Sequence, residues 1–196
     1  MIGAACEGEI LDQVTYLEED EVVHHKPKAE PIGRTVLLLA YGHLQKSKFI
    51  EKMELEDVTF IYNHIEEYSE ASKKKIFDLL GSHKPQLVLH LGAHEDEEQG
   101  VLHFEQSGYK YQAGVNGRNI KTKINCDEMV EKVNQQMKGR LTCRKTEKYR
   151  DDVCSNMYYS SLIVNEKTSL AVYVPTLNDE EVVEALRNAV KVFFKS

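Results

Sequence analysis

Cys154 is the residue of this chain that is best placed for nucleophilic chemistry. The segment at residues 151–162 predicts a helix with this thiol in its first turn, where the helix dipole favours the nucleophilic thiolate form. A nucleophilic cysteine also needs a base, usually a histidine. The segment at residues 170–175 predicts a buried strand ending in a proline, and Tyr173 occupies the strand position expected for that base.

Further side chains that could do chemistry follow two other predicted strands. In open α/β sheets, functional residues lie beyond the carboxyl ends of the strands. We therefore expect these loops to meet Cys154 in one cleft. The residues concerned are Tyr41, His43 and Leu44 after the first strand, His94 after the third, and His103 and Glu105 in the segment at residues 102–108.

Several histidines are candidate metal ligands by residue type. His90, His94 and His103, with Asp96 nearby, have ligand-type side chains, but the i, i+4 pair straddles a strand end and does not lie on a helix face. His24 and its histidine neighbour have no further ligands around them. We therefore expect no metal and no cofactor, and we interpret His90 as a hydrogen-bonded core residue.

Strands and helices alternate along the second part of the chain, which predicts βαβ units and a mainly parallel sheet covered on both faces. The fold class predicted is α/β, a three-layer α/β/α sandwich with a mostly parallel central sheet. The predicted strands are residues 35–40, 58–62, 85–92 and 169–174. The predicted helices are residues 67–82, which Gly81 is expected to end, 127–138, 155–164, and a last helix capped by Asn178.

Length and composition indicate a cytoplasmic globular protein. The 196 residues suit one domain with a full core, and the hydrophobic content of 41% is ordinary. No apolar run approaches the roughly 20 residues that span a bilayer, and the N-terminus lacks the features of a secretory signal. The four cysteines form no CxxC motif, which favours free thiols in a reducing compartment.

The net charge of −7 is concentrated at one end of the chain. Residues 1–33 contain eight acidic residues and two lysines and lack sustained periodicity, which predicts a mobile acidic extension ahead of a domain at residues 34–196. An acidic protein without a basic stripe repels phosphate backbones. We therefore expect neither nucleic acid nor a membrane as a partner.

Four segments carry a resemblance to a known family. They are residues 83–92 (HKPQLVLHLG), 104–108 (FEQSG), 153–162 (VCSNMYYSSL) and 172–177 (VYVPTL). In order and spacing they resemble the pyroglutamyl peptidases of type I, the cytosolic pyrrolidone-carboxylate peptidases. These enzymes remove an N-terminal pyroglutamate from peptides with a Glu, Cys and His constellation on an α/β sheet. The resemblance covers roughly residues 34–194.

The resemblance implies a role for each matching residue. Cys154 falls on the family's nucleophile, Glu105 on its catalytic glutamate and Tyr173 on its catalytic histidine. The family's Gly-Phe-x-Pro-Phe loop provides aromatic walls for the pyrrolidone ring, and Tyr41 and Leu44 fall on its two aromatic positions. The implied partner is a peptide with an N-terminal pyroglutamate.

The same comparison implies weak or lost activity. A tyrosine, with an intrinsic pKa near ~10, is a poor acceptor for a thiol proton at neutral pH. Two carboxylates, Asp151 and Asp152, precede the thiol and would raise its pKa. His43, His94 or His103 could replace the missing base. The alternative function is that of a non-catalytic relative, a pseudoenzyme that serves as a binding or regulatory module.

Overall fold

The structure, a computed structural model, describes residues 33–42, 44, 52–93, 100–109, 119–148, 150–175 and 179–195. The predicted extension, apart from its last residue, lies outside this part of the chain, as do His43, His94, Asp96 and Asn178. The strands are β1 (Arg34–Tyr41), β2 (Val58–Ile65), β3 (Leu87–Ala93), β4 (Val101–Glu105), β5 (Ser107–Tyr109), β6 (Asn119–Lys121), β7 (Thr142–Thr146) and β8 (Ser169–Val174). The helices are α1 (Glu70–His83), α2 (Cys126–Met137), α3 (Val153–Asn165) and α4 (Asp179–Phe193).

Six strands form the central sheet in the order β2-β1-β3-β8-β4-β7, and β5 pairs with β6 in a separate antiparallel ribbon. Every neighbouring pair of the large sheet is parallel except β4 and β8. The carboxyl ends of β1, β3 and β8 therefore lie at one edge of the sheet, whereas β4 runs in the opposite direction. The predicted α/β class with a mostly parallel sheet is confirmed.

Alternate strand residues point to opposite faces, and each face of the sheet packs against two helices. One core cluster joins the sheet to α2 and α4 through side chains such as Leu38, Val133 and Leu186. The other joins it to α1 and α3 through Leu39 and Met157. These are the three layers of the sandwich. No helix in the described part of the chain is both long and apolar enough to cross a membrane.

Capping groups set the ends of the helices. Ser69 caps α1 with its hydroxyl, which accepts a hydrogen bond from the Ser72 amide. The expectation that Gly81 ends this helix is wrong. The helix continues to His83, and Lys84 then adopts a left-handed conformation (φ 45°) with its amide bonded to the Leu80 carbonyl. A C-terminal cap needs a residue in that conformation, and this chain places a lysine there.

Four strands, β4 to β7, were not predicted from the sequence. Two of them have only three residues, and β7 alternates one buried cysteine, Cys143, with exposed residues. Such segments contain too few apolar residues to show a period of two. By contrast, β8 is buried along its whole length, and its predicted bounds at residues 169–174 agree with the structure.

Candidate active site

The first turn of α3 holds Cys154 against the carboxyl edge of the sheet. Asp152 is the N-cap residue, and its Oδ1 accepts a 2.7 Å hydrogen bond from the Ser155 amide. The thiol follows two residues after this cap, as the sequence predicts, and it points inward, with 2% of the residue exposed. Its Sγ lies 3.1 Å from the point that a Cβ on Gly92 would occupy.

Gly92 allows the thiol and Tyr173 to approach the same point. It lies directly opposite Tyr173 in the parallel pair of β3 and β8. A Cβ built on Gly92 would lie 2.5 Å from Cε1 and 2.7 Å from Cδ1 of the tyrosine ring. No real side chain tolerates such distances, so the absence of a Cβ is what seats this ring beside Cys154.

The Tyr173 hydroxyl is engaged by the cap of α3. It donates a 3.0 Å hydrogen bond to Asp152 Oδ1, the same oxygen that caps the helix. The Arg150 guanidinium lies 4.2 Å from the centroid of the Tyr173 ring, within the range of a cation–π interaction. Arg150 and Asp152 thus hold the tyrosine from two sides at the entrance to α3.

Burial outweighs the helix dipole at Cys154. The pKa of the thiol is raised well above its ordinary value, first by burial and then by the negative charge of Asp152. The neighbouring Tyr173 hydroxyl and the positive charge of Arg150 lower it by less. Desolvation penalises the charged form and so opposes the preference of the helix dipole for a thiolate, while the contribution of Asp152 has the sign that the sequence predicts.

Tyr173 is even less suited to accept a proton. Burial raises the pKa of its hydroxyl far above the ordinary value, and Asp152, which accepts a hydrogen bond from it, raises the pKa further through its negative charge. The phenol is therefore a neutral hydrogen-bond donor at every physiological pH. Its geometry agrees, because the proton already points at Asp152.

Glu105 lies at the end of β4, on the face of the sheet that α3 covers. It is opposite Ala171 in the antiparallel pair, two residue pairs further along than His103 and Tyr173 and on the same face. Burial raises the pKa of its carboxyl to about 8, while Arg150 and the Ser107 amide lower it by less. No hydrogen bond of good geometry reaches either carboxylate oxygen within the described residues.

Tyr41 and Leu44, the predicted pocket residues, are both buried at the carboxyl end of β1. The Tyr41 hydroxyl lies 2.8 Å from Nδ1 of His90 in β3. The two rings are nearly parallel, with an interplanar angle of 4° and centroids 5.9 Å apart. Burial raises the pKa of the Tyr41 hydroxyl well above its ordinary value, and the negative charge of Asp152 adds to the effect.

Neither a family model nor a curated protein matches this chain, but solved structures do. A pyrrolidone carboxyl peptidase mutant from Pyrococcus furiosus superposes with a TM-score of 0.68 at 12% identity, covering 83% of this chain and 99% of that one. The fold is that of the pyrrolidone carboxyl peptidases. Pyroglutamyl peptidase I from Bacillus amyloliquefaciens gives 0.61 at 11% identity, over 80% and 94% of the two chains. The Thermus thermophilus enzyme gives 0.63 at 17% identity, over 80% and 98%.

Within this pyrrolidone carboxyl peptidase fold, the chain gathers most of the predicted residues on one face of the sheet. Cys154 and Tyr173 share the space above Gly92, Tyr41 lies at the same edge, and Glu105 lies deeper under α3. The identities of 11–17% show the fold alone. The roles of these residues are therefore taken up below as a proposal.

Two residues around this site were not recognised as members of it from the sequence. His90 was interpreted as a core residue, and its contact with Tyr41 depends on the pairing of β1 with β3. Arg150 precedes the two carboxylates that the sequence analysis names, and its stacking on Tyr173 depends on the loop before α3. The sequence signal that could have identified both residues was their position within a few residues of the predicted site segments.

Proposed function

We propose that the chain is a divergent pyroglutamyl-peptidase-I-like cysteine exopeptidase, with weak activity towards N-terminal pyroglutamyl peptides. One observation carries the proposal. The Cys154 thiol lies at the start of α3, against Gly92 and Tyr173, where the carboxyl ends of β3 and β8 meet. Sites in α/β sheets form at such ends, and the fold match with pyrrolidone carboxyl peptidases supports this substrate class.

In the proposed reaction the Cys154 sulfur attacks the carbonyl carbon of the pyroglutamyl residue. The C–N bond then breaks, the peptide amine leaves with one proton, and a pyroglutamyl thioester remains on the sulfur. Water attacks the thioester, releases pyroglutamate and restores the thiol. Tyr41 forms the wall for the ring, and Glu105 orients the substrate. Leu44 instead packs in the core cluster under α2 and α4, whereas Tyr41 packs with Cys154 in the cluster under α1 and α3.

The proposed activity is weak because Tyr173 occupies the position where the resemblance expects the general base. The Tyr173 hydroxyl donates a hydrogen bond to Asp152 and is too weak a base to accept a proton from the thiol. Loss of a general base costs on the order of 10²–10⁴ in rate. Cysteine depends on a base less than other nucleophiles do, since a fraction ionises on its own.

The test is hydrolysis of a chromogenic pyroglutamyl amide by the wild type, Cys154→Ala and Tyr173→His. We expect slow wild-type turnover that Cys154→Ala abolishes and that Tyr173→His raises by 10-fold or more. Turnover that survives in Cys154→Ala would show that the proposed nucleophile is wrong. A prolyl amide of the same chromophore is the matched control for the ring carbonyl.

The second candidate is a non-catalytic binding module. The burial of the Cys154 thiol favours it. Cys154 is 2% exposed, and the tyrosine beside it is bonded to Asp152. This candidate predicts no turnover in the wild type together with saturable binding of a pyroglutamyl dipeptide amide, unchanged in Cys154→Ala. Isothermal titration with both proteins measures it, and the glutaminyl dipeptide amide serves as the control ligand.

A further inference from the structure

His90 and Glu105 lie in one row of the sheet beneath α3. His90 in β3 is opposite Ala171 in β8, and Ala171 is opposite Glu105 in β4. Directly opposed residues point to the same face, and Ala171 belongs to the core under α1 and α3. With strands ~4.8 Å apart, the two outer Cα atoms are about 10 Å apart. Only the methyl group of Ala171 rises from the sheet between them.

The contact with Tyr41 decides which nitrogen of His90 carries the proton. His90 is 0% exposed, and burial lowers its pKa to about 3, so the ring is neutral and has one N–H group. We assign the Tyr41 hydroxyl as the donor to Nδ1, because Nδ1 is the hydrogen-bond partner found for this hydroxyl within the described residues. The proton of the imidazole is therefore on Nε2, which is buried and has no hydrogen-bond partner in the same part of the chain.

The carboxyl group of Glu105 offers the kind of hydrogen-bond acceptor that His90 Nε2–H lacks. The residue is 2% exposed, and no hydrogen bond of good geometry reaches either carboxyl oxygen within the described residues, although the Ser107 amide is near enough to lower the pKa. Tyr158, whose ring packs at 5.4 Å from His90, donates its hydroxyl to the main-chain carbonyl of Glu105 and leaves the carboxyl unused. Buried polar groups almost always find a partner, if necessary an ordered water.

We propose that one buried water molecule bridges His90 and Glu105 across Ala171. The water accepts a hydrogen bond from His90 Nε2–H and is shared with the Glu105 carboxyl, which supplies both a donor and an acceptor when protonated. No direct hydrogen bond joins the two side chains, so the link between them requires a bridging molecule. Tyr41, His90, the water and Glu105 then form one hydrogen-bonded chain beneath Cys154.

This chain makes His90 a positioning residue. It fixes the Tyr41 ring at the carboxyl edge of the sheet and ties the proposed pocket wall to the buried acid. The inference goes beyond the peptidase proposal and does not rest on it, because it concerns the unliganded protein. Absence of turnover in the amide assay would leave it standing.

The test is NMR of the full chain labelled with ¹⁵N-histidine, without ligand. In the wild type we expect His90 in the Nε2–H form, with a cross-peak from that proton to a long-lived water. Glu105→Gln keeps a polar partner and should retain the cross-peak, whereas Glu105→Leu should lose it. Tyr41→Phe removes the donor to Nδ1 and should give a mixture of the two tautomers.

Several results would overturn the proposal. One is a wild-type His90 in the Nδ1–H form, and another is an Nε2–H proton with no cross-peak to water. If Glu105→Leu does not fold, as judged by circular dichroism, a high-resolution crystal structure of the wild type decides. Density within hydrogen-bond distance of both His90 Nε2 and the Glu105 carboxyl is expected there. A dry contact of Nε2 with the Tyr158 ring would refute the proposal.

Discussion

At the scale of single residues, the reactivity of Cys154 is decided by competition between the helix that carries it and the groups that surround it. The N-terminus of α3 favours a thiolate, but burial and Asp152 oppose one and prevail. Asp152 has two roles, because the oxygen that caps the helix also accepts the Tyr173 hydroxyl proton. A single carboxylate therefore stabilises the helix and suppresses the thiolate.

Replacing Asp152 by Asn separates these roles. The amide oxygen still caps α3 and still accepts from Tyr173, but the negative charge is gone. We expect the pKa of Cys154 to fall and its alkylation by iodoacetamide at pH 8 to become about 3- to 10-fold faster, since one pKa unit corresponds to a tenfold change in thiolate. The midpoint of the alkylation rate against pH should move to lower pH.

Asp151→Asn is the matched control, because this neighbouring carboxylate is exposed and does not contribute to the raised pKa of the thiol. Its alkylation rate should stay within twofold of the wild type. Equal acceleration in both variants would mean that net charge near the loop, and not the contact of Asp152, controls the thiol.

Glu105 makes stability depend on pH in a defined direction. Its folded pKa of about 8 exceeds the unfolded value of 4.5, so between these pH values the folded state holds one proton more than the unfolded state. The free energy of unfolding therefore falls as pH rises from 4.5 to 8 and is constant above. Glu105→Gln should remove this loss and be more stable than the wild type at pH 9, by on the order of 4 kcal/mol.

Urea unfolding of both proteins at pH 5, 7 and 9 measures this effect. The gain from Glu105→Gln should grow across the series. His90, with a folded pKa of about 3, costs stability as pH falls below 6.5, but equally in both proteins. Glu180→Gln, at an exposed position, should show no pH-dependent gain. A gain that is the same at pH 5 and pH 9 would contradict a buried, proton-binding Glu105.

At the scale of secondary structure, the site depends on how closely β3 allows its neighbours to approach. Cys154 arrives from α3 and Tyr173 from β8, and both occupy space that a side chain at position 92 would fill. The φ angle of Gly92 is not positive, so the backbone itself would accept any residue. The requirement for glycine is therefore one of space.

Gly92→Ala tests this requirement. The new methyl group would displace the Tyr173 ring, and we expect the protein to lose about 1–3 kcal/mol of stability through overpacking. Chemical denaturation measures the loss. Tyr173→Ala in the Gly92→Ala background removes the clash, so the double variant should be more stable than the sum of the single changes predicts.

The matched control is Gly81→Ala. Gly81 lies in α1 with nothing within 4 Å of the new methyl, so the substitution should stabilise the protein by about 0.5–1 kcal/mol through helix propensity. If Gly92→Ala were also stabilising, the close packing of Cys154 and Tyr173 on β3 would be wrong.

At the scale of the whole molecule, the sequence predicted the elements with strong apolar patterns and missed those without them. Continuous buried runs revealed β1, β3 and β8, and amphipathic spacing revealed α4. No local pattern in the sequence indicated that β4 runs antiparallel to β8. The direction of a strand depends on the connections that lead the chain into and out of the sheet. That direction places Glu105 opposite Ala171 and away from Tyr173.

The site was predictable in part for the same reason. Cys154 and Tyr173 each belong to a well-patterned element, so their positions followed from the sequence. The Tyr41–His90 contact depends on the register of two strands that are 49 positions apart at these residues. The burial of Cys154, which reverses the effect of the helix dipole, depends on packing of the whole layer above the sheet.

The described elements of the domain begin at Arg34, where β1 starts, and this leads to a prediction about the acidic segment before it. A chain lacking residues 1–32 should unfold at the same urea concentration as the full chain, with the same denaturant dependence, because it keeps both core clusters. Its net charge rises from −7 to about −1, since residues 1–32 carry eight acids and two lysines. It should therefore bind an anion-exchange column less tightly and be less soluble near neutral pH.

A full-length variant with those eight acids changed to Asn or Gln separates charge from length and should show the same losses. If the truncated chain were less stable by more than about 1 kcal/mol while this neutralised variant was not, the acidic segment would belong to the folded domain.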